Sequence, residues 1–564
     1  MKKENFIIVG ITLIIVTISV SLAYFAAKIV GTPKEINLST KNLYVQFTDN
    51  TAELNTSGIS PGWVYEKTFT IENKSESDYK YNLIIKDLMN TFVTDSLQYK
   101  ITCTSNNGGY SMNEFESMPK SEMAKDTILA YSVSISSGVK QVYKLELRYI
   151  DSDEQNSDMG KKFSGKLFIT EGTEAPSLYD KILSDNPTRE TRTDFSTTFT
   201  TTNTGTLYTS TEQIGSDPAK DVYYFAGDAK NNWVKFGIYS TEMVKGYYSS
   251  SATEDSFAIY YSMEKCTSAA SYNKNCTYVY KAGDPIYWRI IRTNHDKSVK
   301  LLYSGENVET TTAYIGESKF NSTQNDPMYV GYKYGTTGSL ENNRLNTNDS
   351  TIKGVIDTWY KNNLTAYTKY LSKDAVYCND RNLASGQTYS TKNYLEFAAY
   401  ERLSRKTITP TYNCTNMSDA FSGNNTSAKL DYPVSLMTAD EAVFAGGKYG
   451  AYIKNSPYPW YSVNSNNVRI VSYSVYSNFW LLLTPFNRDY YHNESDPEEP
   501  GVDNSNIYAI LEDNILGIGW LKNRETDYPE LVRPVLSINS CVKWARGDGS
   551  PEKPYEILET ENGC

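Results

Sequence analysis

Histidine is almost absent: the 564 residues hold two, His295 and His492. A Ser-His-Asp or Cys-His arrangement would have to use one of them. There is no HExxH and no CxxC, so the common zinc spacings are missing. Clustered basic residues are missing too. Net charge is −11 with no long Lys/Arg run. Counterion release from nucleic acid needs such clusters, so the composition argues against a nucleic-acid partner. No catalytic constellation stands out, and His295, in the turn NHDK between two β-like runs, reads as an exposed turn residue. What is abundant is tyrosine, 48 residues, alongside much Asn, Ser and Thr. Tyr and Thr favour strands, while Asn and Ser favour turns, so the balance points to β structure with long polar loops.

The long apolar run is at the start, MKKENFIIVGITLIIVTISVSLAYFAAKIVG. Residues 5–27 carry no charge, enough helix at 1.5 Å per residue to cross a bilayer of about 30 Å. Lys2 and Lys3 before it place the N-terminus in the cytoplasm and the body outside. The small residues of SLAYFAA also offer a cleavage site, which would make the protein secreted or wall-associated. No cysteine lies near this segment for a lipid anchor, and no hydrophobic tail closes the sequence. Of seven cysteines, six fall in the C-terminal part: Cys266, Cys276, Cys378, Cys414, Cys541 and Cys564. An even number there fits bridging in an oxidising space. Neighbour pairing would join Cys266–Cys276, Cys378–Cys414 and Cys541–Cys564, though six cysteines allow fifteen patterns. Cys103, in LQYKITC, reads as a half-buried free thiol within a strand.

Residues 36–172 alternate as strands do. KTFTIEN, YKYNLIIKD, LQYKITC, YKLELRYI and KFSGKLFIT put apolar side chains on every second position, with polar turns between them. That pattern predicts an all-β sandwich. The stretches ISPGWVYEKTFTIENKSESDYKYNLII, QVYKLELRYID and QNSDMGKKFSGKLFIT resemble the TasA/camelysin group of secreted β-sandwich proteins. The resemblance implies a jelly-roll-like surface domain that in some members assembles into fibres by strand exchange. A protease activity linked to camelysin is not carried over, since this segment has no histidine.

Between Thr188 and Thr211, twelve of twenty-four residues are threonine. Residues 173–216 therefore read as an extended Thr-rich linker, with Phe195, Phe199 and Tyr208 available for local docking. Residues 217–564 form a mixed unit. In NDSTIKGVIDTWYKNNLTAYTKYLS, Ile352, Val355, Ile356 and Trp359 share one helix face, and Asp349 or Ser350 can cap its start. In MTADEAVFAGGKYG, Thr438 and Glu441 form a capping box and Gly446-Gly447 a stop. Strands precede and follow these helices, which predicts an α+β domain whose last strand pairs with its first. NNWVKF, YWRIIRTN, YPVSLMTADEAVFAGG, FWLLLTP, LVRPVLSI and GDGSPEKPYEI together resemble a C-type-lectin-like domain of bacterial cell-surface proteins. The superfamily includes ligand-binding variants with diversified loops and formylglycine-generating oxidases, so the resemblance leaves the chemistry open.

For the oxidase, Cys541 and Cys564 would be the reactive pair, but they lie in no motif for that activity and read as a structural bridge. After the strand NFWLLLT, a loop beginning at Pro485 holds Asp489, Glu494, Asp496, Glu498, Glu499 and Asp503. Calcium, which takes about six to eight oxygens, is the one cofactor it suggests. Glu499-Pro500-Gly501 departs from the sugar-binding triplet, with Gly where an amide is needed. Two stretches, SPYPWYSVNSNN and NRDYYHNES, cluster aromatics with Asn and Asp, a recognition chemistry for sugars or peptides. Trp460, Tyr461, Arg488, Tyr490 and Tyr491 are the candidate contacts, while Trp288 and Trp480, inside strand motifs, read as core. The expectation is a multi-domain surface protein with a transmembrane helix in residues 1–35, a sandwich, a linker and a lectin-like domain. It would bind a glycan or protein ligand without catalysis. The rival is a fibre component that self-assembles through its sandwich.

Overall fold

The computed structural model describes residues 59–151, 155–247, 257–268, 276–310, 312–454, 457–462, 479–491, 502–513 and 518–564, with backbone strands at 26–29, 35–40, 43–49 and 54–56. The chain is predominantly β, in several sheets, and divides into Met1–Ala175 and Pro176–Cys564. Among the described residues no helix is long and apolar enough to cross a membrane. The segment 5–27 lies outside them except for Ala26 and Ala27, which open a short strand, Ala26–Ile29.

In the N-terminal unit two sheets enclose one core. One runs in the order Leu54–Thr56, Ala26–Ile29, Lys162–Glu171, Tyr79–Asn90, Ser121–Ile135. The other runs Glu35–Thr40, Leu43–Asp49, Val64–Asn73, Lys140–Tyr149, Leu97–Cys103, Glu116–Ser117. Alternation decides which face is inside: Leu97, Tyr99, Ile101 and Cys103 are buried, as are Tyr143, Leu145, Leu147 and Tyr149. Ser121–Ile135 escapes simple alternation because four register shifts interrupt its pairing with Tyr79–Asn90 and residues 122–126 are exposed. Cys103 is a free, fully buried thiol. A polar knot sits in this core, where the Tyr81 and Tyr143 hydroxyls are 2.6 Å apart and both donate to Gln141 Oε1.

The C-terminal unit starts inside the segment read as a linker, which is a correction. Leu178–Asp185 is a helix capped by Ser177, and strand Thr206–Glu212 pairs over its residues 208–212 with Lys220–Tyr224 in a ten-stranded sheet. Threonine-rich sequence shows no period, but Leu207, Tyr208 and Phe195 are buried, and Phe199 packs edge-on to Tyr208. The last strand, Tyr555–Ile557, pairs in parallel with Trp233–Ile238, in the opening strand stretch of residues 217–564. The turn before it needs glycine at 547: its φ is +87°, and a Cβ there would sit 1.9 Å from the Pro554 carbonyl oxygen. A seven-stranded sheet is built around the long antiparallel pair Phe479–Tyr491 and Val502–Asp513. The two forecast helices are present. Thr351–Asn363 is capped by Ser350 and buries Ile352, Ile356 and Trp359, while Ala439–Ala445 carries both halves of its capping box and stops at Gly446. Trp288 and Trp480 are wholly buried. Disulfides join Cys266–Cys276, Cys378–Cys414 and Cys541–Cys564.

Candidate functional site

The strand carrying the aromatic candidates does not stop at Thr484-Pro485. It continues to Tyr491, with register shifts on either side of Pro485, where a residue without an N–H can sit only at a break in the ladder. Thr484 explains the break: its hydroxyl accepts the Ala439 N–H at 2.9 Å, at the start of the helix Ala439–Ala445. Past this point the strand is flanked by Leu395–Glu396, which pairs with Asn487 and Arg488, while Ile518–Glu525 flanks the partner strand as far as Asn506. From Asp489 and Asn504 onward the described pairing is Asp489 with Asn504, Tyr490 with Asp503 and Tyr491 with Val502. The result is a two-stranded ribbon that carries residues 492–501 between its strands. Those residues, with Glu494, Asp496, Glu498 and Glu499 of the calcium reading and His492, lie outside the described residues, as do the side chains of Tyr490 and Tyr491.

Three of the five candidate contacts point inward, a second correction. Trp460 is 3 % exposed and donates its indole N–H to the Phe225 carbonyl (2.9 Å). Tyr461 is also 3 % exposed, and its carbonyl accepts from Arg533 Nη1 (2.6 Å). Arg488 is wholly buried and donates to the Asn393 carbonyl (2.9 Å), fastening the ribbon's base to the segment before Leu395–Glu396. Turn-like sequence placed these residues at the surface, but the ring and guanidinium packing they offer is used by the core.

The same base presents a residue that sequence reading missed. Tyr394 is 45 % exposed, and its hydroxyl donates to Glu396 Oε1 at 2.8 Å. Glu396 is held in turn by Arg405 at 2.6 Å. The ring is therefore fixed beside the ribbon, with exposed Asp489 nearby in the strand order. A Tyr in STKNYLEF carries no signal of this; only the pairing of Leu395 with Arg488 brings it here.

A dense polar cluster lies elsewhere in the unit. Glu441 Oε1 receives Arg292 Nε and Lys300 Nζ, each at 2.9 Å, and its Oε2 accepts the Thr438 N–H. Glu212 receives Arg292 Nη2 at 2.8 Å, the His295 N–H at 2.6 Å, and faces His295 Nδ1 at 3.0 Å. His295 does sit in its turn, but half-buried on Glu212 rather than free in solvent. Arg402 bridges Asp440 (2.8 Å, twice) and Asp380 (2.7 Å). Burial alone would raise the carboxyls of Glu212 and Glu441. Burial is the largest single influence, but the charges of Arg292 and Lys300 together with hydrogen bonds from His295 and Arg292 outweigh it at Glu212, and those of Lys300 and Arg292 with the Thr438 N–H outweigh it at Glu441, holding both below their ordinary range. The cavity among these groups is about 20 Å³, room for one water and nothing larger. Every one of these acids faces a base, which ties together the segments that carry them.

Among the described residues, one set of carboxylates is spaced to surround a cation: Asp349, Asp357 and Asp431. The Lys353 ammonium already occupies its centre, 3.1, 2.5 and 3.1 Å from the three. Burial lowers and the carboxylates raise its pKa, which ends near 12.

No family model matches the chain, and no curated protein matches it. A solved structure described as "AvmM Catalyzes Macrocyclization in Alchivemycin A Biosynthesis" aligns over 26 % of this chain and 99 % of its own, at 10 % identity and a TM-score of 0.13. At that score the likeness carries no argument. Fold and site together define a class no narrower than a predominantly β, disulfide-braced protein of two units.

Proposed function

We propose that this is a surface-displayed protein that binds a glycan or protein ligand without catalysis, through the ribbon face of its C-terminal unit. Residues 5–27 would anchor it, or direct its export if cleaved, and the N-terminal unit would act as the spacer. The observation that supports this reading is the ribbon of Phe479–Tyr491 and Val502–Asp513, with Tyr394 fixed at its base by Glu396 and Arg405. A rigid aromatic beside a polar ribbon loses little entropy on contact with a ligand. The lectin-like resemblance points the same way, since that fold varies its loops to bind. Three bridges, in six distal cysteines, suit an extracytoplasmic setting. The test is a glycan and protein array probed with the soluble body, with and without EDTA. Tyr394→Ala should weaken any captured ligand by about tenfold, as expected for losing one ordered aromatic contact. Unchanged capture by both Tyr394→Ala and a Tyr490→Ala/Tyr491→Ala variant would remove this face from the reading.

One observation favours a second reading, the self-assembling fibre. Strand Ala26–Ile29 enters its sheet parallel to Lys162–Glu171, whereas the other pairings in that sheet are antiparallel. A strand added in this way is one that a neighbouring copy could supply. Electron microscopy of the purified body should then show filaments that vanish when residues 26–29 are deleted.

A further inference from the structure

The three disulfides differ in how a solution thiol meets them. Cys414 is 2 % exposed and packs with Val376 and Ala420 in a small buried cluster, and its partner Cys378 is half-buried. Cys266 is 3 % exposed, and Cys276 is half-buried. In the third bridge both residues, Cys541 and Cys564, are exposed. Thiol exchange needs the attacking thiolate to reach a sulfur, so access separates the three bridges before any other property does.

The third bridge also closes a segment that has other holds. Lys369 Nζ donates to the carbonyls of Thr560 (2.7 Å) and Glu561 (2.9 Å). The Tyr370 hydroxyl donates to the Thr560 carbonyl at 2.8 Å and accepts the Thr560 N–H at 2.7 Å. Upstream, the Leu558 N–H reaches the Lys543 carbonyl at 2.8 Å, and Tyr555–Ile557 lies against Val234 and Lys235. Cys541 sits in a turn closed by Val542 N–H on the Asn539 carbonyl, and Asn539 N–H reaches the Tyr370 carbonyl. Both ends of the bridge are thus tied to the turn Thr365–Tyr370 independently of the sulfurs.

We infer that Cys541–Cys564 is a thiol-exchange site for a low-molecular-weight thiol, the one bridge of the three that opens while the fold stays closed. The chemistry is balanced by the thiol itself. A thiolate attacks one sulfur, forming a mixed disulfide, and the other cysteine leaves as a thiolate that takes up a proton. A second thiolate then attacks the sulfur of the bound thiol and displaces the remaining cysteine, which takes up a proton, so two thiols are oxidised to their disulfide and the bridge is reduced to two cysteines.

The probe is glutathione at graded ratios of reduced to oxidised form, applied to the full-length chain and followed by alkylation and peptide mass spectrometry. Cys541 and Cys564 should label at a ratio roughly tenfold less reducing than the other four cysteines, with a glutathione adduct on one of them. Circular dichroism should not change over that range. Labelling of Cys378 and Cys414 at the same ratio, or loss of structure as Cys541 and Cys564 appear, would overturn the inference. A Cys541→Ser/Cys564→Ser variant should fold and take no adduct under the same conditions. If it fails to fold, the bridge is structural and the inference is wrong; if it folds and still takes an adduct, the exchange site lies elsewhere.

Discussion

The two units hold their sheets together by different means. In Met1–Ala175 the core is Phe69, Ile71, Leu83, Leu145, Leu167 and their neighbours, meeting across the gap between two sheets. Ion pairs such as Lys120 with Asp95 and Lys144 with Glu66 lie at its surface, although Lys67 and Asp158 are wholly buried. In Pro176–Cys564 a larger apolar core is crossed by ion pairs that are almost wholly buried: Arg292 with Glu212 and Glu441, Lys300 with Glu441, and Arg381 with Asp419. The difference follows from the geometry. Long regular strands bury every second side chain and need little else, whereas short strands and turns bury many backbone carbonyls and loop ends, which charged side chains can satisfy. Arg381 shows this, donating to the carbonyls of Lys333, Asn343 and Ser418 besides its pair with Asp419.

The largest expected effect breaks that contrast at Glu441. Glu441→Ala takes away the carboxylate paired with the buried Lys300, leaves Arg292 with Glu212 alone among the described residues, and removes half of a capping box, at a cost of about 3–5 kcal/mol. Calorimetry should show the C-terminal unit melting well below its wild-type temperature while the N-terminal transition stays in place. Coincident shifts of both would show the two units to be one cooperative body.

Its counterpart in the other unit is smaller. Tyr143→Phe removes the hydroxyl that meets Tyr81 and Gln141 and leaves the Tyr110 N–H without its acceptor. About 1 kcal/mol should be lost, since the buried hydroxyl contacts with Tyr81 and Gln141 go and a half-buried donor loses its acceptor while the apolar packing remains. Urea unfolding followed in the N-terminal transition measures it, and a loss as large as that at Glu441 would erase the contrast.

The same contrast sets what was legible in the sequence. Period-two patterning exposed five strands of the N-terminal unit, and local rules found both helices and the Thr438–Glu441 box, because each signal lies within a few residues. The buried ion-pair cluster was not legible, for Glu212, Arg292 and Glu441 are brought together over separations of 80 and 149 positions. One clue was present: ADEAVFA is apolar on every side of its acids, so a buried helix had to take Asp440 and Glu441 inside with it. Residues 173–216 misled for the opposite reason. Their composition suited a solvated chain, yet Thr206–Glu212 gains its order from the strand beside it, which is tertiary information. Trp460 and Tyr461 misled because a turn-rich stretch says nothing about which way a ring faces.

Acid–base behaviour sharpens the comparison further, because the C-terminal unit holds buried acids of both kinds. Glu530 is wholly buried; burial raises its pKa, Arg524 only partly offsets it, and the value settles at about 7. A raised carboxyl contributes stability fully below the unfolded value of about 4.3 and loses it as pH climbs through the folded value. Glu212 and Glu441 run the other way, contributing above about 4.3 and losing that contribution as pH falls. Glu530→Gln should therefore flatten the decline in stability between about pH 5 and about pH 8 while leaving the acid limb in place. Urea midpoints across that range measure it, and an unchanged slope would mean Glu530 does not titrate there.

A similarly small effect is expected at Lys353, where the unit balances a positive charge at its edge rather than in its depth. Asp349 and Asp431 are exposed and Asp357 half-buried, so solvent screens much of the attraction. Lys353→Ala should cost only about 1–2 kcal/mol, from lost packing of the buried stem and repulsion among three carboxylates. Removing the ammonium leaves oxygens within 4.8 Å of one another around its former position, spacing that suits a divalent cation. Calcium should accordingly raise the melting temperature of the variant and leave that of the wild type unmoved. A variant indifferent to calcium would show that the three carboxylates spread apart once the lysine is gone, and that Lys353 organises the cluster instead of merely filling it.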